Sequence, residues 1–122
     1  LLDWLKERSE QAELVASVCT GSALLAKAGV LDGLRATSNK LAFAWASSQS
    51  EKVQWQKQAR WGEDGKFFTS SGVSAGIDMA LAVIAKLVSQ QAAEEAANFA
   101  EYSWQRDADW DPFAALHGLV GD

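Results

Sequence analysis

One cysteine, one histidine and one proline in 122 residues exclude several classes of protein at once. A lone Cys19 rules out an intrachain disulfide framework and a multi-cysteine zinc site, and it fits a reducing compartment. With His117 as the single histidine, a histidine-rich metal centre has no ligands to draw on, so no metal and no cofactor are expected. The scarcity of proline, together with 48% of residues of apolar or aromatic type, excludes a disordered or collagen-like chain. No apolar run reaches bilayer-spanning length, and the opening residues Leu1 to Lys6 do not read as a signal peptide. The expectation is one soluble, cytoplasmic domain over residues 1–122.

Positive charge is also scarce where it would matter for nucleic acid. Residues 1–86 hold nine acidic and ten basic side chains, whereas from residue 87 onward seven acidic residues face Arg106 alone. No basic patch is present to release counterions from a phosphate backbone, so nucleic acid is not an expected partner. The acidic end reads as a solvated face rather than a recognition surface.

What is present alternates between helical and extended patterns. Residues 3–11 are charged, with Trp4, Leu5 and Arg8 spaced for a helix lying on an apolar surface. The run over 12–18 has the length and β-branched content of a strand buried on both faces. A helix is predicted from Ala23 to Val30, closed by Gly29 and the Asp32-Gly33 turn. Residues 35–38 are extended, and Ser38 or Asn39 is expected to cap a helix over Lys40–Ser47 with Leu41 and Trp45 on its inner face. Alternation from Val53 to Trp61 predicts a strand, and Glu63-Asp64-Gly65-Lys66 a hairpin turn into a strand over Phe67 to Ser70. A long buried helix is expected over about 75–89, with Ser74 as cap and Asp78 in the favourable first turn. An alanine-rich helix follows over 91–104, then an irregular tail.

The candidate chemistry sits where the first strand turns abruptly into a helix. Such a turn projects its side chain outward, towards helix amides that favour a thiolate and a developing anion. Cys19 occupies that junction and Gly21 leaves room beside it. On local pattern alone, a nucleophile and an ordinary small core cysteine are both open.

The segments VCTGSALLAKAGVLDGLRATSNKLAF and DGKFFTSSGVSAGIDMALAVIAKL resemble the ThiJ/PfpI superfamily of class I glutamine-amidotransferase-like folds, and within it the isonitrile hydratase-like branch and the ligand-binding domains of AraC-type regulators. The resemblance implies an α/β fold, a flavodoxin-like three-layer sandwich with a mainly parallel sheet, and Cys19 as nucleophile with Thr20 beside it. Thr20 stands where protease-like members carry histidine, which disfavours a Cys–His dyad. Asn39 stands where several relatives have histidine, so no general base is expected from it. Gly21, Ser70, Ser71 and Gly72 are the expected substrate-lining residues.

The resemblance implies further that the N-terminal part of the domain is absent from this chain, which looks like the C-terminal three-fifths. A second polypeptide supplying that part, and its acid, is the expected partner. A homodimer of the completed domain is expected too, through Trp55, Trp61, Trp104 or Trp110 unless these pack internally. The implied activity is hydration of a small carbon–nitrogen substrate, an isonitrile above all. A non-catalytic sensing module and a glyoxalase- or chaperone-like stress role are the alternatives.

Overall fold

In the computed structural model, which describes residues 1–121, one strand organises the rest. β5 (Phe67–Ser70) lies between β1 (Val15–Ser17), which it pairs in parallel, and β4 (Trp61–Asp64), which it pairs antiparallel. Successive side chains of a strand point to opposite faces, and both faces of β5 are covered. Phe67 joins an apolar cluster of Leu25, Ala26, Leu31, Ala36 and Val53 on one side. Phe68, fully buried, joins Trp61 and Met79 on the other. Such two-sided burial is why the segment lacks a polar alternation.

The first cluster is roofed by α2 (Gly21–Lys27) and bordered by a small parallel pair, β2 (Arg35–Ala36) with β3 (Gln54–Trp55). The second is roofed by α4 (Val73–Leu87), which packs in turn on α5 (Gln90–Phe99). α1 (Leu2–Gln11) rests against α2. The layered α/β arrangement with parallel pairings is the predicted one. So is the hairpin between β4 and β5, whose Gly65 takes φ +60° as the tight turn requires.

Several local expectations are corrected. In α3 (Phe43–Ser47) the inner face is Phe43 and Ala46, while Leu41 and Trp45 are exposed. The helix starts three residues later than expected, after an uncapped Ala42, which changes the buried stripe. The strand foreseen from Val53 to Trp61 is broken: only Gln54–Trp55 is extended in β3, and Trp61 already opens β4. Gly72, not Ser74, is the N-cap of α4. Ile77 is half exposed, so that helix buries one side rather than its circumference. The tail contains a short helix, α6 (Pro112–Leu116), capped by Asp111, whose carboxylate accepts from the Phe113 amide at 3.0 Å. Trp61 is core and Trp55 and Trp104 are half-buried with their indole N–H groups bonded to carbonyls of Ser50 and Asp78; of the four tryptophans considered for a dimer contact, Trp110 alone is exposed.

Asp78 is not a dipole-compensating carboxylate. It is fully buried, and its Oδ2 lies 2.7 Å from Arg60 Nε. Its Oδ1 accepts from the Gln105 amide, and its backbone carbonyl from Trp104 Nε1. Arg60 Nη1 also stands 4.0 Å from Asp111, and the Arg60 amide donates to the Ala108 carbonyl. This buried network ties the acidic tail to the hairpin and to α4.

α4 approaches the residue before Cys19 closely at Gly76. A Cβ at Gly76 would lie 2.8 Å from Val18 Cγ1 and 3.2 Å from Cγ2. Alanine would gain roughly 0.5–1 kcal/mol in helix propensity, but forced overpacking costs about 1–3 kcal/mol. Gly76→Ala is therefore expected to lower the midpoint of thermal unfolding by several degrees; an unchanged or raised midpoint would refute the packing argument.

Candidate functional site

The parallel strands β1 and β5 end side by side, and the chain leaves β1 through Val18 and Cys19 directly into α2. Cys19 has φ +60°, while Thr20 (φ −75°) is already helical and serves as the N-cap of α2. A residue bearing a Cβ takes the left-handed conformation at a cost of about 1–2 kcal/mol, so neighbouring groups must hold it there. They do so at both ends. The Cys19 amide donates to the Ser70 and Ser71 carbonyls, each at 3.2 Å. The Cys19 carbonyl accepts from Ser38 Oγ at 3.0 Å and from Ser22 Oγ at 3.3 Å. Ser38 thus bridges to the elbow instead of capping a helix.

The predicted site residues are gathered at this point in the fold. Cys19, Thr20 and Gly21 are each half-buried. A Cβ at Gly21 would meet Ser17 Cβ at 3.3 Å, so the turn and the strand end are tightly packed. Ser71 and Gly72 line a cleft of about 380 Å³ at the start of α4. Ser70 does not line it: its side chain is fully buried and its hydroxyl donates to the Ser71 carbonyl, so its contact with Cys19 is through its backbone. Cys19 is adjacent to this cleft through Ser71, not among its lining residues.

The cleft also holds side chains that sequence reasoning did not foresee. Lys40 is almost fully buried, and its Nζ donates to Ala59 O at 2.6 Å, Thr37 Oγ1 at 2.7 Å and Ser38 O at 3.2 Å. Arg60 and Asp111 stand beside it, with Leu41, Val73, Ile77 and Phe113 as apolar walls. His117, exposed at the end of α6, borders the cleft. Asn39 lines it as well, and its Oδ1 has no hydrogen-bond partner among the described residues. The one available signal was Asp111-Pro112, a helix-start pair that places a carboxylate at a buried cap. Nothing in the spacing of Lys40 distinguished it from a surface lysine. Among the described residues, no cluster of three or more histidine, cysteine or carboxylate side chains could hold a metal. No helix among them is long and apolar enough to cross a membrane.

Burial lowers the Lys40 pKa to about 8, with the Asp111 carboxylate pulling the other way. The unfolded chain, with Lys40 near 10.5, therefore binds more protons than the folded chain between those two values. Stability from this group must then rise with pH across that window. Urea unfolding of the wild type and Lys40→Met from pH 7.5 to 10.5 checks it. The wild type is expected to gain on the variant as pH rises through about 8; a constant gap would contradict the assignment.

Comparisons with known proteins agree with this fold. The model of the DJ-1/PfpI family matches residues 1–86. An isonitrile hydratase from Pseudomonas putida is 38% identical over 93 residues, 76% of this chain and 40% of that protein. The HTH-type transcriptional regulator CdhR of Pseudomonas aeruginosa is 36% identical over 86 residues, 70% of this chain and 25% of that one. The crystal structure of a ThiJ/PfpI family protein from Pseudomonas syringae superposes with a TM-score of 0.68 at 34% identity, covering 85% of this chain and 42% of the other. Drosophila melanogaster DJ-1beta, at 23% identity, shares the fold with a TM-score of 0.72 over 84% and 54% of the two chains. The chain thus spans well under two thirds of the length of these relatives.

Proposed function

The chain belongs to the DJ-1/PfpI family, and from that premise we propose that it is a cysteine-dependent hydratase of a small carbon–nitrogen compound, an alkyl isonitrile being the substrate of choice. The observation that carries the reading is the left-handed Cys19, fixed through both its amide and its carbonyl at the mouth of the strand–helix turn. The likeness to an isonitrile hydratase over 93 residues supports the substrate class.

In this reading the Cys19 thiolate attacks the terminal carbon of R–N≡C, forming a C–S bond. A carboxylic acid protonates that carbon, which gives the thioimidate R–N=CH–S–Cys. Water adds to the same carbon, the C–S bond breaks, and the thiolate is restored as the formamide R–NH–CHO leaves. The Thr20 amide stabilises charge developing on the substrate, and its hydroxyl holds the water. Gly21, Ser71 and Gly72 shape the approach, Ser70 acting through its carbonyl. We propose that the protonating acid comes from outside the described residues and meets Cys19 when the domain is complete. A homodimer of the completed domain follows from the same proposal.

The likeness to the regulator CdhR favours one other reading, a sensing module that binds a small molecule in the same cleft without turning it over. The material as purified from cells, with any partner chain identified by mass spectrometry, is incubated with an alkyl isonitrile while formamide is followed by proton NMR. Turnover is expected, and Cys19→Ala should reduce it by roughly a thousandfold or more. Formamide production unaffected by the substitution defeats the nucleophile; binding without turnover in both proteins points to the sensor.

A further inference from the structure

We propose that Lys40 is a positioning residue for Cys19, acting through Ser38. The inference rests on the reading of Cys19 as nucleophile for its chemical consequence, but its geometry stands on independent contacts. Ser38 is fully buried and held at both ends. Its hydroxyl donates to the Cys19 carbonyl at 3.0 Å, while its own carbonyl accepts from Lys40 Nζ at 3.2 Å. The same ammonium reaches Thr37 Oγ1 at 2.7 Å and Ala59 O at 2.6 Å. Its three donors therefore meet three oxygens from two segments, the loop after β2 and the stretch before β4.

That loop has no regular structure to keep it in place. Its other anchors are the Thr37 amide, on Thr69 Oγ1 at 2.9 Å, and the Thr37 hydroxyl, on Gln56 O at 2.8 Å with a longer contact to Ala59 O at 3.5 Å. Both grip Thr37; Lys40 is the group that grips Ser38. Without the ammonium, the Ser38 and Ala59 carbonyls lose a buried donor, and the loop gains by turning them towards water. Any such turn carries the Ser38 hydroxyl away from Cys19. The left-handed residue would then keep the longer bond from Ser22 Oγ, at 3.3 Å, as its side-chain support at the carbonyl.

Amide hydrogen exchange read by NMR tests the link, because the Cys19 amide is bonded only while the elbow holds its conformation. Ser38→Ala removes the hydroxyl alone, Lys40→Met removes the ammonium, and Lys40→Gln is a milder form of the same change should Lys40→Met not fold. Each is expected to speed exchange at Cys19 by roughly fivefold to tenfold while Phe68 and Thr69, in the central strand, stay within about twofold. A purely structural role for Lys40 would move all three amides together, and that result overturns the proposal. So does a Cys19 amide indifferent to Ser38→Ala. No step of this readout uses the thiol, so a failure to hydrate isonitriles leaves the outcome intact and the two readings fall separately.

Discussion

A side chain with a Cβ does not rest in the left-handed region unless something pins it, and Cys19 is pinned from three directions. The carbonyls of Ser70 and Ser71 come from the end of the central strand. Ser22 reaches back from the first turn of α2, and Ser38 reaches across from the loop beyond β2. Each bond adds on the order of 1 kcal/mol net, which together outweighs the roughly 1–2 kcal/mol of backbone strain. The close seating of Gly76 on Val18 completes the support from the opposite face of the sheet. The parallel register of β1 and β5 matters to the site because it brings the ends of both strands to the same edge. Open α/β sheets bind their ligands at that carboxyl edge.

The polar side of the cleft depends on charges that the fold has taken out of water. Lys40, Arg60, Asp78 and Asp111 are all buried, and burial of an uncompensated charge costs several kcal/mol. Here Arg60 is paired with Asp78 and has Asp111 nearby, while Lys40 is met by three neutral oxygens. Arg60 is the centre: its side chain meets Asp78 on α4 and stands near Asp111 at the start of α6, and its amide binds Ala108. Removing one member would leave its partner buried and unpaired, the expensive outcome. The acidic surplus after residue 87 is therefore not wholly a solvated face. One of its carboxylates, Asp111, caps a helix and sits against the cationic floor.

The parts of this architecture that could be read from the sequence are those decided locally. Asp64-Gly65 announces a hairpin because only a residue tolerant of φ +60° closes it, and Gly65 has that angle. The apolar run before Cys19 and the small residue after Thr20 announce an elbow. Leu41 and Trp45 misled because spacing of four says which residues share a face, not which face turns inward; Phe43 won the interior by edge-on packing against Trp55. The alternation from Val53 to Trp61 was interrupted because Ala59 and Arg60 are drawn to Lys40, Ala108 and Asp78. Ser38 looked like a cap because a serine's preference for unpaired backbone groups is visible in sequence, whereas the identity of that group is tertiary. Lys40 was illegible for the same reason: two of its acceptors, on Thr37 and Ser38, are local, but the third, Ala59 O, joins them only after β2, β3 and β4 assemble.

Positive φ alone would not single out Cys19, since Glu101 has φ +52° as well. The two cases separate on what surrounds them. Glu101 follows the C-cap of α5, where its amide returns to Asn98 O and the Tyr102 amide to Ala97 O. That is how helices close, and its exposed side chain does nothing that glycine would not do better. At Cys19 a glycine would relieve the strain at no cost to the turn, yet the position carries a thiol instead. The supports gathered there, two strand carbonyls and two serine hydroxyls, are more than a chain reversal requires. Strain kept where a cheaper residue exists, and over-determined by its surroundings, is the pattern of a functional side chain. On the function proposed above, that side chain is the nucleophile, on a residue half-buried beside the cleft.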